Sequence, residues 1–277
     1  MNALDKFKIT DKVCVITGGG GLMADSHARA VLSGGGVVSL LDISEEKLTI
    51  EKKRLLNDYD KSKIETYKVD ITERTQLEKV CQDLVNKYGH IDILINNAAN
   101  NPKVESGSSN MDAIRFDNLP MDIWQDDIAV GLTGAFLCTQ VFGCQMALQR
   151  SGVILNISSD LGVIAPDQRI YRKDGLDEAK QIVKPVTYSV IKHGLIGLTK
   201  YTATYWAKDG VRCNAIAPAG IENGQDEEFV TKLTNLVPMG RMATKDEYQS
   251  TVLYMISDAS AYMTGATVIV DGGRTCW

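Results

Sequence analysis

Histidine is scarce in this 277-residue sequence, with three in all, and the six cysteines (Cys14, Cys81, Cys138, Cys144, Cys213 and Cys276) form no C-x-x-C pair. No histidine stands at ligand spacing from them, so a zinc cluster and a secreted disulfide framework are excluded and no metal site is expected. Lysine and arginine number 30 against 35 acids, giving a net charge of −5, and they form no basic run. That argues against a protein that neutralises nucleic-acid phosphates. No stretch approaches the roughly 20 consecutive apolar residues a membrane helix needs. Residues 1–12 alternate polar and apolar side chains where a signal peptide would have an apolar centre. Aromatics are only 6%, yet 44% of residues are hydrophobic and 23% charged, a balance that supports a core and excludes a disordered chain. We therefore expect a soluble, cytoplasmic protein in a reducing compartment, with no nucleic-acid and no membrane partner.

What is present is a rhythm. Short apolar runs at 13–16, 37–41, 64–69, 91–95, 153–157, 211–216 and 267–270 read as strands. Most are near-continuously apolar, as parallel strands covered on both faces must be. Helix-length segments lie between them at 22–33, 45–58, 73–88, 121–149, 187–208, 226–235 and 245–257. Strand–helix alternation along the whole chain predicts an α/β fold. It would be a single doubly wound domain over 1–277, of Rossmann type, with a parallel seven-stranded sheet and helices on both faces. Two polar stretches interrupt it, a loop at 100–120 and a longer one at 160–185 with a short helix expected at 177–183. Irregular segments of that length are often lids or binding loops.

After the first strand comes Thr17-Gly-Gly-Gly-Gly21-Leu-Met-Ala24, leading into a helix. Glycines there let the backbone turn and approach a pyrophosphate, to which a helix N-terminus offers free N–H groups. A glycine run alone is weak, since Gly34-Gly-Gly36 is another with only a turn to make. Its context is stronger: strand before, helix after, and Asp42 at the end of the second strand. A carboxylate at that point accepts hydrogen bonds from a ribose 2′-hydroxyl and repels a 2′-phosphate, which favours NAD over NADP. The alternative for Asp42 is a solvated strand end. Further on, Tyr188-Ser-Val-Ile-Lys192 puts a phenol and an ammonium on one helix face. A free tyrosine titrates near pH 10 (about 10), and a neighbouring cation brings the phenolate toward neutral pH. Alone, that spacing also describes a surface pair.

These motifs do not stand alone. The glycine loop is followed, in order, by Asp70 after the third strand and Asn96-Asn97-Ala98-Ala99 after the fourth. Ser158-Ser159 follows the fifth, then Tyr188 with Lys192, and Asn214 to Gly220 accompanies the sixth. In that combination the chain resembles the short-chain dehydrogenase/reductase family over essentially its full length. The resemblance implies that Gly18, Gly21, Leu22 and Met23 form the dinucleotide loop, with Asp42 and Ile43 at the adenosine ribose. It implies that Asp70 and Ile71 lie beside the adenine and Asn97 and Ala98 beneath the cofactor, while Pro218, Gly220 and Ile221 face the nicotinamide amide. Tyr188 is then the general acid/base, Lys192 binds the nicotinamide ribose and lowers the tyrosine's pKa, and Ser159 rather than Ser158 holds the reacting oxygen. A homo-oligomer, tetramer or dimer, built through the long helices is also implied.

Three departures matter. The third loop glycine is Ala24, a small residue the fingerprint tolerates. Gly131 stands where the family usually has an Asn that holds a proton-relaying water. Ser159 and Tyr188 are 29 residues apart, more than twice the family's usual separation, so 160–186 is an insertion expected to lie as a lid over the substrate site. That insertion carries Asp167, Arg169, Tyr171, Arg172 and Lys173. Arg169, Tyr171 and Arg172 are the candidate substrate contacts, since guanidinium recognises planar anions well; the alternative is a solvated loop. Gly162-Val-Ile-Ala-Pro166 and the segment 219–229 resemble a subgroup associated with bacterial surface-sugar biosynthesis. The resulting expectation is an NAD-dependent oxidoreductase interconverting a secondary alcohol and a ketone on a sugar, amino sugar or sugar acid. The alternatives are a 3-oxoacyl or other small-ketone reductase, and a non-catalytic NAD-binding sensor or scaffold suggested by Gly131.

Overall fold

A computed structural model describes residues 2–100 and 115–277; within the expected loop at 100–120, residues 101–114 lie outside the described residues. Seven strands form one sheet: β1 (Val13–Thr17), β2 (Val37–Asp42), β3 (Ile64–Lys68), β4 (Ile93–Asn96), β5 (Gly152–Ile157), β6 (Val211–Pro218) and β7 (Thr267–Val270). All pair in parallel, in the order β3-β2-β1-β4-β5-β6-β7. The expected doubly wound Rossmann-type sheet is what the chain forms, each strand within two residues of its sequence-based bounds.

The β1 side chains explain why both faces must be covered. Val13 and Val15 join one apolar cluster, and Cys14 and Ile16 the other, because successive strand side chains point to opposite faces. The Cys14 and Ile16 face is covered by α1 (Ala24–Ser33), α2 (Glu45–Leu55) and α8 (Gln249–Ile256). The other is covered by α3 (Arg74–Tyr88), α5 (Gly134–Gln149) and the end of α6 (Val186–Tyr205). A buried polar ladder ties sheet to helices: Asn96 Nδ2 donates to Asn156 Oδ1 at 2.8 Å and to Thr139 Oγ1 at 3.0 Å, and Asn156 Nδ2 donates to Thr199 Oγ1 at 2.8 Å.

The segment expected as one helix at 121–149 differs in detail. It comprises α4 (Met121–Ile128), a π-helical turn at Ala129–Thr133, and α5. By length and composition Met121–Gln149 could cross a membrane, which the search for long apolar runs missed because polar residues interrupt it. Half of its most apolar window is buried within the fold, where α5 packs on α3, β4 and β5. The expected helix at 245–257 is a 3-10 turn (Asp246–Tyr248) followed by α8, and the short helix expected at 177–183 is a single 3-10 turn, Glu178–Lys180. Helix α7 (Glu227–Thr234) begins as its acids suggest, with the Asp226 carboxylate accepting the N–H groups of Glu228 and Phe229.

Strand order reverses between β1 and β4, so the loops leaving those two strands diverge and open a crevice at the C-terminal edge of the sheet. In open α/β sheets that is where ligands bind.

Candidate active site

A cleft of about 560 Å³ runs along that edge. One end is built by the turn after β1. Gly18 has φ +65°, and a Cβ there would sit 2.8 Å from Ala98 Cα, so only glycine lets the two turns touch. Thr17 locks them together: its Oγ1 accepts the N–H groups of Asn97 and Ala98 at 3.0 and 3.1 Å, and Asn97 Nδ2 donates to the carbonyls of Thr17 and Gly18. Met23 begins α1 with no side chain capping the helix N-terminus, leaving N–H groups for an anion. Asp42 stands at the end of β2, one oxygen accepting from Gly20 N–H and the other from Ser44 N–H, each at 2.9 Å. These bonds hold the carboxylate against the cleft with lone pairs to spare. A glycine turn that no side chain could occupy, an uncapped helix start and an oriented carboxylate fit a dinucleotide.

All the residues expected at the cofactor line this one cleft: Gly18, Gly21, Leu22, Met23, Asp42, Ile43, Asp70, Ile71, Asn97, Ala98, Tyr188, Lys192, Pro218, Gly220 and Ile221. They come from turns after five strands and from α6, which explains why no local window of sequence contains the site.

The other end is set by the meeting of β5 with α6. Lys192 is buried, and its Nζ donates to the Ile157 carbonyl at 2.7 Å, while Ser158 Oγ donates back to the Lys192 carbonyl at 2.8 Å. The start of α6 is pinned to α4 by Thr187 Oγ1, which donates to Asp127 Oδ2 at 2.6 Å. Lys192 Nζ lies 5.6 Å from the centre of the Tyr188 ring. Ser158 is thus occupied holding the helix, and Ser159 is the serine beside the phenol. The Ser159 hydroxyl donates to Asp160 Oδ1 at 2.7 Å.

Electrostatics here are governed by burial, which disfavours charge of either sign. Lys192 is pushed down to about 8, first by burial and then by the ammonium of Lys184. Lys184 is pushed down to about 8 by burial, opposed by Asp160. Burial pushes the Tyr188 phenol up, the neighbouring Ser159 hydroxyl pulls it back, and Asp160 pushes it up further. With burial and Asp160 raising it and Ser159 alone opposing them, the phenol of the protein without its cofactor holds its proton at neutral pH. Burial also raises the Asp160 carboxyl, against hydrogen bonds from Ser159 and Leu161.

The insertion meets its expectations only in part. Pro166, Asp167, Ile170 and Tyr171 line the cleft, and Tyr171 packs on Phe229 of α7 with ring centres 5.4 Å apart. Arg169 and Arg172 do not line it. Arg169 pairs with Asp167 at 2.7 Å and Arg172 with Glu178, both on the exposed side. The loop uses its own acids to neutralise the two arginines singled out as substrate contacts, and a search for anion-binding residue types has no means of seeing that pairing. In their place the structure brings Lys184 and Arg274 to the cleft, neither flagged by any motif. Lys47, near Asp42 on the cleft wall, belongs to no motif either. Gly131 is buried in the π-helical turn, where a Cβ would meet Ile191 Cδ1 and Cγ2 at 2.8 Å. Among the described residues no group of three or more potential metal ligands converges.

Comparison with known proteins gives two family models. One described as short chain dehydrogenase matches residues 12–171, and one described as enoyl-(acyl carrier protein) reductase matches 175–275. An NAD-dependent glycerol dehydrogenase of Listeria innocua is 31% identical over 97% of this chain and 96% of its own length. A 3-oxoacyl-(acyl-carrier-protein) reductase of Thermotoga maritima is 31% identical over 96% and 98%. Galactitol 2-dehydrogenase of Rhizobium johnstonii is 29% identical over the whole of both chains. Among solved structures, a short chain dehydrogenase of Leptospira borgpetersenii with bound NAD+ is 29% identical, with a TM-score of 0.79 over 99% of this chain and 96% of that one. A gluconate 5-dehydrogenase of Burkholderia cenocepacia in complex with NADP and tartrate is 25% identical, with a TM-score of 0.83 over the whole of both chains.

Proposed function

The chain belongs to the short-chain dehydrogenase/reductase family, and from that premise we propose that it interconverts a secondary alcohol and a ketone on a polyhydroxylated substrate, a sugar, amino sugar or sugar acid, with NAD. It is an oxidoreductase acting on CH–OH groups. The observation that carries the finer reading is the convergence of Ser159, Tyr188 and Lys192 at one end of a cleft whose other end presents Asp42.

A bound nicotinamide dinucleotide supplies or accepts the hydride. The protein's part is the proton and the geometry. In the reducing direction Tyr188 donates its proton to the carbonyl oxygen as that oxygen gains negative charge; in the oxidising direction the phenolate takes the proton from the hydroxyl. Ser159, whose hydroxyl donates to Asp160 and accepts the Leu161 N–H, would turn its single proton from Asp160 to the same oxygen when substrate is bound. Lys192, anchored by the Ile157 carbonyl, supplies positive charge behind the phenol and a donor for a ribose hydroxyl. Burial that keeps Tyr188 protonated suits the acid role, and positive charge arriving in the cleft favours the phenolate needed for the reverse.

NAD is preferred over NADP in this reading because the Asp42 carboxylate, oriented by the Gly20 and Ser44 N–H groups, lines the cleft with lone pairs left for ribose hydroxyls. Among the described residues, Lys47 near it is the group that would favour a 2′-phosphate. The insertion, with Tyr171 seated on Phe229, forms the roof of the substrate end. A 3-oxoacyl substrate is the rival, supported by the Thermotoga relative, but a thioester chain would have to pass Lys184 and Arg274.

The test is turnover followed by cofactor absorbance, with NAD and NADP each offered against polyols, sugars, amino sugars, sugar acids and sugar phosphates. Turnover is expected with NAD, and Tyr188→Phe should lower kcat by about 10²–10⁴-fold with cofactor affinity retained. A Tyr188→Phe protein that turns over as the wild type does would sink the assignment of the acid/base. NADH binding with no turnover of any alcohol or ketone would favour the sensor.

A further inference from the structure

The charged residues around the insertion divide into two sets. Arg169 with Asp167, Arg172 with Glu178, and Lys173 with Asp226 at 3.6 Å are pairs that hold the segment to itself and to α7. Lys184 and Arg274 are built differently. Both line the cleft, and among the described residues neither side chain forms an ion pair or donates a hydrogen bond.

Each is nevertheless held in place. The backbone of Lys184 is gripped from both sides by Gln168, whose Oε1 accepts the Lys184 N–H at 2.8 Å and whose Nε2 donates to its carbonyl at 3.2 Å. That grip sets the Lys184 ammonium 3.7 Å from the centre of the Tyr188 ring. Arg274 comes from the turn after β7. There Asp271 accepts the N–H groups of Gly273 and Thr275 at 2.9 and 2.7 Å, and Arg274 N–H donates to the Asp271 carbonyl at 3.2 Å. An ammonium and a guanidinium positioned by two separate devices, with acids nearby but none in contact with either side chain, keep donors that a ligand would complete.

The acids nearby do not complete them. Asp167 is committed to Arg169, Asp271 to backbone N–H groups, and Asp160 Oδ1 to Ser159 and Leu161. Burial raises the Asp160 carboxyl, and among the described residues it forms no ion pair with Lys184 or Arg274, so the donors of both cations stay open toward the cleft. Tyr171 and Phe229 pack on each other and both line the cleft, and apolar walls strengthen attraction to an anion.

We propose that the substrate carries an oxyanion, a phosphate or a carboxylate, which Arg274 and Lys184 hold while its reacting carbon lies at Tyr188. This rests on the reading of the cleft as an alcohol dehydrogenase site. It narrows the substrate from polyhydroxylated compounds in general to sugar phosphates or sugar acids. Phosphate and carboxylate share the recognising chemistry, since a guanidinium presents two parallel N–H groups to either.

The test compares wild type, Lys184→Met, Lys184→Arg and Arg274→Gln on three substrates: a neutral hexitol, an aldonate and a hexose 6-phosphate. Each protein is also titrated calorimetrically with inorganic phosphate in the presence of NAD. The wild type should favour one charged substrate over the hexitol by about 100-fold in kcat/KM, the worth of one or two charge-assisted hydrogen bonds. Arg274→Gln and Lys184→Met should each reduce that preference by about tenfold or more, chiefly through KM, and Lys184→Arg should keep most of it. Which charged substrate leads identifies the oxyanion. Turnover of the hexitol equal to or better than both charged compounds overturns the proposal, as does a preference that no substitution alters. If no alcohol is turned over, the dehydrogenase reading has failed and the titration decides this one. Phosphate binding weakened in Arg274→Gln supports the anion site, and binding absent from the wild type, or unchanged in that variant, overturns it.

Discussion

A single side chain shows how strongly burial sets protonation in this molecule. His27 lies in α1, fully enclosed, with neither ring nitrogen making a hydrogen bond. Burial pushes its pKa down to about 4, with the Asn97 side chain only weakly opposing. The unfolded chain would bind that proton near 6.5 (about 6.5), so as pH falls the unfolded state gains protons first. The stability from keeping His27 neutral is therefore complete above about 6.5 and is lost progressively as pH falls toward 4. On the order of 3 kcal/mol is at stake. Urea denaturation at pH 7 and pH 4.5 should show the wild type losing stability, and His27→Leu should flatten that slope. Equal slopes in the two proteins would refute the assignment. Nothing in the sequence around residue 27 announces this cost, because the lack of a partner for the imidazole is a property of the packed fold. The two serines make the same point: Ser158 and Ser159 are adjacent in sequence, and only the packing of α6 on β5 gives one to the helix and the other to the cleft.

At the scale of elements, the helix from Met121 to Gln149 is where local pattern and structure part. Its apolar periodicity is legible, but the π-helical turn at Ala129–Thr133 is not, since it arises where the helix accommodates its neighbours. π-Turns cluster at functional sites, and Val130 in this one lines the cleft. The turn also explains Gly131. The space an Asn side chain would need is filled by Ile191, next to Lys192, whose branched Cγ2 cannot move aside without shifting α6. Gly131→Asn, which restores the family's usual residue, should therefore destabilise the protein by about 1–3 kcal/mol, the usual cost of overpacking, and should not raise turnover. Thermal melting and steady-state kinetics check this. A variant as stable as the wild type and faster would show that the pocket can open, while Ile191→Ala combined with Gly131→Asn should recover part of the lost stability. The insertion was legible as an element by its length and polarity. Its chemistry was not, because which arginine is neutralised depends on Asp167 and Glu178 folding back onto their own segment.

For the molecule as a whole, α5 and α6 leave large apolar side chains in water: Phe136, Leu148, Tyr201 and Tyr205 are 46%, 80%, 66% and 64% exposed. Tyr201 and Tyr205 stack on each other with centres 5.8 Å apart, forming a flat face on α6. Exposed apolar surface of this kind marks an interaction site, and we expect a homo-oligomer assembled through these two helices. Light scattering after gel filtration should give a mass two or four times the 30.3 kDa of the chain. Phe136→Glu together with Tyr201→Glu should shift it toward the monomer, since burying two carboxylates in such an interface is strongly unfavourable. A monomeric wild type would defeat the expectation.

The chain by itself determined the strands, most of the helices between them and the kind of sheet they form, because each depends on short-range rules; the positions expected to meet a dinucleotide came from the order of the motifs and the family they resemble. Apolar runs must be covered on both faces, glycine alone tolerates the turn at residue 18, and Asp42 ends an apolar run of strand length. Only the tertiary structure decided which charges are spent and which are left. Arg169 and Arg172 lose theirs to acids of the same loop. Lys184 and Arg274, 90 residues apart in sequence, reach the same cleft because Gln168 holds one and the turn after β7 delivers the other. Local pattern records residue type and spacing, but counter-charge and solvent exposure are properties of the assembled surface.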